Sequence, residues 1–202
     1  MKVAPMKPLS NASETAIDSY RSRIISALQG FDFGEIKQLV SLLQEARDAG
    51  STIYVAGNGG SASTVGHYVI DWMLGTEITE PSIRVVSLAD STASITATAN
   101  DKSFQDVFSR QVRHLGRPGD VVLAVSASGN SPNLVALGHR ARSMNMKFVA
   151  ITGFDGGALK KIADISVHVP TEVGDYGVAE DLHLMVGHVV KEALIAAVTD
   201  EA

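Results

Sequence analysis

The stretch "STIYVAGNGGSASTVGH" (residues 51–67) runs from an apolar segment through a Gly-Asn-Gly-Gly turn into a helical pattern. Its first part is rich in β-branched and aromatic residues, which suits a strand. The serine after the glycines suits a helix start. Strand, glycine turn and helix together are the opening of a βαβ unit. The same alternation continues through "IRVVSL", "DVVLAVS", "KFVAITG" and "ISVHVP". Helical patterns separate these strands over residues 61–74, 92–98, 104–115, 132–144 and 157–163, and a terminal helix covers about 178–198. Alternating strands and helices predict a parallel sheet covered on both faces. The expected fold is α/β, a three-layer αβα sandwich on a five-stranded parallel sheet of flavodoxin-like type.

Two helices precede the first strand. Residues 11–28 carry an apolar stripe of Ile17, Tyr20, Ile24, Ile25 and Leu28, with Asn11 and Glu14 as a capping-box-like start. Ile36, Leu39, Val40, Leu43 and Ala46 form the apolar face of a second helix ending near Gly50. They predict a helical hairpin docked on the domain or on a partner subunit. Residues 1–50 are read as part of the same unit as the domain at 51–202.

The 202 residues, 45% hydrophobic and 19% charged, fit an ordinary globule. A net charge of −5 argues against nucleic acid as the main partner. The absence of cysteine excludes disulfides and thiolate metal ligands. No apolar run approaches the ~20 residues of a membrane span. The start "MKVAPMKPLSNASET" has two lysines but no apolar h-region. The expectation is a cytoplasmic protein without a membrane partner.

In parallel sheets ligands bind beyond the carboxyl ends of the strands, so the loops "GNGGS", "SLAD", "SASGNS" and "TGFDGG" are the places for a site. "GNGGSA" resembles a dinucleotide fingerprint. That reading needs an acidic residue ~20 positions on, at the end of the next strand. Asp90 in "SLAD" comes more than thirty residues after Gly57. "GNGGS" and "SASGNS" are instead built alike, each delivering serine at a helix start, where backbone N–H groups and the helix dipole favour an anion. No lysine completes a Walker loop. Helix capping alone would explain one serine per loop. Ser126, Ser128 and Ser131 within six positions exceed that need, and predict an anion site.

His67 and Asp71 are four residues apart and share a helix face. The segment "AEDLHLMVGH" carries Glu180, Asp181, His183 and His188. Two histidines and two carboxylates suit zinc or a similar divalent ion. Against this, each histidine alone reads as a surface or core residue. The terminal helix also reads as a packing helix with Leu182, Leu184, Met185 and Val189 inward. Spacing does not bring the two helices together.

"GNGGSASTVGH", "TATANDKSFQDVFSRQV", "GDVVLAVSASGNSPNL", "ITGFDGG" and "AEDLHLMVGH" together resemble the sugar isomerase (SIS) domain family, and within it the phosphoheptose isomerases. The resemblance covers nearly the whole chain. It implies isomerisation of sedoheptulose 7-phosphate to D-glycero-D-manno-heptose 7-phosphate through an enediol. It also implies a homotetramer with active sites at subunit interfaces. Asn58, Gly59, Gly60 and Ser61 match the first substrate loop, Asn100 and Asp101 the "ND" pair, and Ser126, Ala127, Ser128 and Ser131 the phosphate loop. His67, Asp71, Glu180 and His188 fall at the family's metal-ligand positions, with zinc the implied ion. Asp71 and Glu180 are also expected at the substrate, Asp71 as base and His188 as acid–base partner.

This chain departs from the family pattern in places. Asp71 stands where glutamate is usual and Glu180 where glutamine is usual. "DWMLGT" lacks an arginine and "GDYGVAED" lacks an Asp-Arg pair. Two alternatives follow from the same resemblance: an SIS enzyme for another phosphosugar, or a non-catalytic SIS adaptor or regulator. An adaptor would be expected to have lost Asp71 and His188. A transcriptional regulator would carry a basic recognition helix before the first strand, and none is evident.

Overall fold

The computed structural model describes residues 10–75 and 81–199; residues 1–9, where most of the N-terminal segment inspected for an h-region falls, lie outside the described residues. Five strands form one parallel sheet: β1 (Thr52–Gly57), β2 (Arg84–Ser87), β3 (Val121–Ser126), β4 (Lys147–Thr152) and β5 (Ile165–His168). Their spatial order is β2-β1-β3-β4-β5. Register runs Val55 beside Ser87 and Leu123, then Leu123 beside Val149. Every residue of β3 is buried, as expected for a central strand covered on both faces.

Alternation along the strands sorts the core into two layers. Ile53, Val55, Leu123, Val125, Val149 and Ile151 face one layer. It is closed by α1 (Asn11–Gln29), α2 (Phe33–Asp48), α3 (Gly60–Gly75) and α8 (Tyr176–Thr199). Tyr54, Ala56, Val122, Ala124, Phe148 and Ala150 face the other. There α5 (Ser109–Leu115), α6 (Pro132–Ser143) and α7 (Gly157–Ile162) pack, beside α4 (Thr92–Asp101). Each buried Val, Leu or Ile side chain contributes about 1.5–3 kcal/mol.

The two N-terminal helices are present, but each leans on the rest of the domain more than on the other: α1 packs on α8, and α2 on β5, β1 and α8. The Glu35 carboxylate accepts from the His168 N–H at 2.5 Å, tying α2 to the edge strand. The cap of α1 is Ser10, whose hydroxyl accepts from Ser13 N, rather than Asn11. The helix expected over 104–115 is broken into a 3-10 turn, Phe104–Asp106, and α5. Ser103 Oγ donates to Asp106 Oδ2 at 2.8 Å, a local side-chain bond that competes with continuous helix. The last helix begins two residues earlier than the pattern suggested, at Tyr176. No helix among the described residues is long and apolar enough to cross a membrane.

Candidate functional site: a serine pocket and a histidine–carboxylate cluster on one helix seam

The order β2-β1-β3 reverses direction between β1 and β3, so a crevice opens beyond their carboxyl ends. The loop after β1 carries Asn58 and Ser61, and the loop after β3 carries Ser126, Ala127, Ser128 and Ser131. All six line one cavity of about 160 Å³, together with Tyr176 and Glu180. The loops are joined by a reciprocal amide pair. Asn58 Nδ2 donates to Asn133 Oδ1 at 2.9 Å, and Asn133 Nδ2 donates back to Asn58 Oδ1 at 2.8 Å. Asn133 is buried at the first turn of α6, where Oδ1 also accepts from Leu134 N. Sequence reading did not single out Asn133; its signal was only a polar residue in the first turn of a helix.

Capping does not account for the serines. Ser131 stands at the N-cap of α6, yet its side chain makes no capping bond. Its hydroxyl lies 3.5 Å from Ser126 Oγ. Ser126 Oγ accepts from Gly129 N and Ser128 Oγ from Asn130 N, so their O–H hydrogens remain able to donate to an anion. The "TGFDGG" loop buttresses this one from behind. Gly153 N donates to Ala127 O, Leu159 N to Gly129 O and Ala158 N to Asn130 Oδ1. Gly129 adopts φ +62, and a Cβ there would overlap the Gly156 carbonyl. Glycine is the residue that fits both demands.

The second group forms where α3 and α8 run side by side. Tyr68 and Trp72 stack on α3 with ring centroids 4.8 Å apart. Both are fully buried and reach across to α8: Tyr68 Oη donates to His183 O, and Trp72 Nε1 to Gly187 O at 3.1 Å. His67 and Asp71 are the residues just before these aromatics, and His188 follows Gly187. The same packing therefore brings His67 Nε2 to 3.1 Å from His188 Nε2. Asp71 Oδ2 lies 3.3 Å from His67 Nε2 and 3.6 Å from His188 Nε2. This oxygen is buried and makes no hydrogen bond, while both imidazoles are close to half-exposed.

A buried oxygen without a hydrogen bond, facing two imidazole nitrogens and with the Lys191 ammonium no nearer than 3.9 Å, is a place that a closer cation would complete. Two histidines and a carboxylate with an exposed side also match a catalytic zinc site that keeps a position open. These residues fit a divalent ion. Among the described residues, His67, Asp71 and His188 are the group brought together. Glu180 lies outside it. A Cβ on Gly60 would collide with the Glu180 carboxylate, which places that carboxylate at the first loop and in the serine pocket. Eight residues separate Glu180 from His188, about 12 Å along a helix. Gly59, at φ +53, turns the chain into this contact.

Asn100 and Asp101 sit exposed at the end of α4, joined at 2.9 Å, and do not line the serine pocket. Tyr176, not foreseen from the sequence, stands at its mouth with its ring edge-on to Phe154 at 5.0 Å. His183 is completely buried on α8 between the two groups, and burial lowers its pKa to about 4. Tyr20 donates to Asp181 Oδ2 at 2.7 Å, a bond that pushes its phenol up to about 12 and fixes α1 to the first turns of α8.

The family model of the SIS domain matches residues 19–153. The chain is 35% identical to the phosphoheptose isomerase of Akkermansia muciniphila over 159 residues, 79% of this chain and 83% of that protein. It is 33% identical to the phosphoheptose isomerase of Chlorobaculum parvum over 175 residues, 86% of this chain and 83% of that protein. The solved phosphoheptose isomerase GmhA from Neisseria gonorrhoeae superposes with a TM-score of 0.83 at 28% identity, covering 91% of this chain and 98% of that one. With its parallel sheet, its paired glycine–serine loops and relatives of this identity, the chain belongs to the SIS domain family and, within it, to the phosphoheptose isomerases.

Proposed function

We propose that this chain interconverts sedoheptulose 7-phosphate and D-glycero-D-manno-heptose 7-phosphate by aldose–ketose isomerisation through an enediol. One observation carries this reading. A pocket walled by a serine loop with unspent hydroxyl donors reaches Ser61 of α3 and Glu180 of α8, the same two helices that carry the Asp–His pair. An open-chain sugar phosphate has the matching layout, with an anion at one end and a reacting carbonyl at the other.

Ser126, Ser128 and Ser131 hold the phosphate, and the amide pair Asn58–Asn133 fixes their loop relative to the first one. That anchoring supplies the orientation on which proton transfer depends. Asp71 takes the proton from C1 of the ketose and returns it to C2. His188 passes the hydroxyl proton of O1 to O2, so that the carbonyl moves from C2 to C1. In a competing version of the step, His67, Asp71 and His188 would hold a divalent ion, for which zinc is the reading favoured by the donor set, and Asp71 then serves as a ligand rather than as the free base. When bound, the ion supplies Lewis-acid polarisation of the carbonyl. The serine pocket is small for a ligand site, and Asn100 and Asp101 stand outside it. Exposed Ile17, Ile25 and Leu28 on α1 offer a surface for other copies of the chain. Both points support a homotetramer with sites completed at subunit interfaces. Light scattering tests the assembly, with four times 21.3 kDa expected.

A second reading, another phosphosugar as substrate, draws on Glu180, whose carboxylate adds negative charge to a pocket lined by no lysine or arginine. Incubation with sedoheptulose 7-phosphate and with a panel of other ketose phosphates, with product detection, separates the two. Turnover of the heptose phosphate alone is expected, lost in Asp71→Asn and in His188→Ala with the assembly intact. Retained activity in either variant overturns the residue assignment, and turnover confined to another sugar overturns the substrate.

A further inference from the structure

Lys191 is the charged neighbour of the histidine–carboxylate cluster that isomerisation leaves without a role. It lies three residues beyond His188 on α8, and its Nζ is 3.9 Å from Asp71 Oδ2. The same Nζ is 3.6 Å from Glu192 Oε1, on a side chain that is 74% exposed. Three nitrogens therefore surround one buried carboxylate oxygen: His67 Nε2 at 3.3 Å, His188 Nε2 at 3.6 Å and Lys191 Nζ at 3.9 Å. Two of them offer lone pairs to a metal. An ammonium group has three donors and no acceptor, so it contributes charge but no coordination. Only 27% of the Lys191 side chain is exposed, which weakens the solvent screening of that charge.

We propose that Lys191 is a positioning residue that competes with the divalent ion for Asp71. In the metal-free protein its ammonium is the counter-charge of the buried oxygen and keeps the carboxylate turned toward the imidazoles. When the ion enters, the two positive charges repel, and the ammonium moves to Glu192, already within reach on the same helix. Lys191 thus sets the affinity of the centre, making its metal exchangeable where an uncharged side chain would make it tight. This rests on the metal reading of His67, Asp71 and His188, and its test separates the two.

The experiment is zinc affinity of the purified full-length metal-free chain, measured by competition with a chromogenic chelator at constant pH and ionic strength. Lys191→Met is expected to bind zinc at least about tenfold tighter than the parent protein, because one positive charge near the ion is gone. Lys191→Arg, which keeps the charge, is expected to stay within about threefold of the parent. Glu192→Gln should weaken binding severalfold, since the displaced ammonium loses its second partner. Equal or weaker zinc binding by Lys191→Met overturns the proposal, and Lys191→Gln serves as the same test if the methionine variant does not fold. Asp71→Asn tests the centre itself. If it leaves zinc affinity unchanged, the ligand assignment fails, whatever Lys191 does.

Discussion

One edge of the Tyr68 ring abuts the backbone of α8 at Gly187, where a Cβ would overlap ring atoms Cε1 and Cδ1. Glycine at this point lets α3 and α8 approach closely enough for Tyr68 to donate to the His183 carbonyl and Trp72 to the Gly187 carbonyl. The histidine–carboxylate cluster is a consequence of that approach, because His67, Asp71 and His188 are the immediate neighbours of the packed residues.

Gly187→Ala is therefore expected to act on stability and on the site together. Overpacking typically costs about 1–3 kcal/mol, and here the contact that must give is a fully buried ring. Urea unfolding should show that loss, and zinc binding should fall because the helices that carry the ligands separate. Undiminished zinc binding in a destabilised variant would mean that the ligands are positioned by something other than this contact.

Asn133→Ala removes the partner of both Asn58 amide groups. An unsatisfied buried donor or acceptor costs about 1–3 kcal/mol. The expected kinetic signature is a raised KM for the phosphosugar with a smaller change in kcat, since Asp71 on α3 and His188 on α8, the groups proposed to move protons, are untouched. A fall in kcat at unchanged KM would contradict a role in holding the phosphate loop.

His183 gives the fold an acid sensitivity whose sign follows from burial. In the unfolded chain its pKa is near 6.5, and in the native protein burial lowers it to about 4. Above pH 6.5 the ring is neutral in both states and stability is unaffected. Between 6.5 and 4 the unfolded chain binds a proton that the native protein refuses, so stability falls with pH, by up to about 3 kcal/mol. His183→Leu is expected to flatten this part of the profile in urea denaturation between pH 4.5 and 7.5. A variant that loses stability with acid as steeply as the parent would clear His183 of the effect.

Metal should stabilise the protein by linkage. An ion that binds only the native state at 100 times its Kd adds about 2.7 kcal/mol. Zinc is expected to raise Tm, a chelator to reverse the rise, and Asp71→Asn to abolish both responses in a thermal scan. A zinc-dependent rise that survives in Asp71→Asn would locate the ion elsewhere.

Much of this was legible in the residue order. The strands announce themselves because each is a short apolar run, four of them closing on a glycine or serine and the last on Pro170, and all five appear where the pattern put them. The serine loop was legible because three hydroxyls in six positions exceed what capping uses, and Ser131 indeed makes no side-chain cap. The break at Ser103–Asp106 was not, since a serine and an aspartate three apart read equally well as helix surface. Asn133 and Tyr176 were missed because neither spacing nor residue type distinguishes them from ordinary helix-start residues.

By itself, the sequence determined the βαβ alternation, the two glycine–serine loops and the presence of histidines and carboxylates on two helices. These are properties of short windows, fixed by local periodicity and turn chemistry. The tertiary structure decided which of those groups meet. The α3–α8 contact, set by Tyr68, Trp72 and the missing side chain of Gly187, joins residues 121 positions apart at 3.1 Å, His67 to His188. It also turned Glu180 to the serine pocket and brought Lys191 to Asp71. Such meetings depend on how two helices pack across a core, which no single stretch of chain encodes.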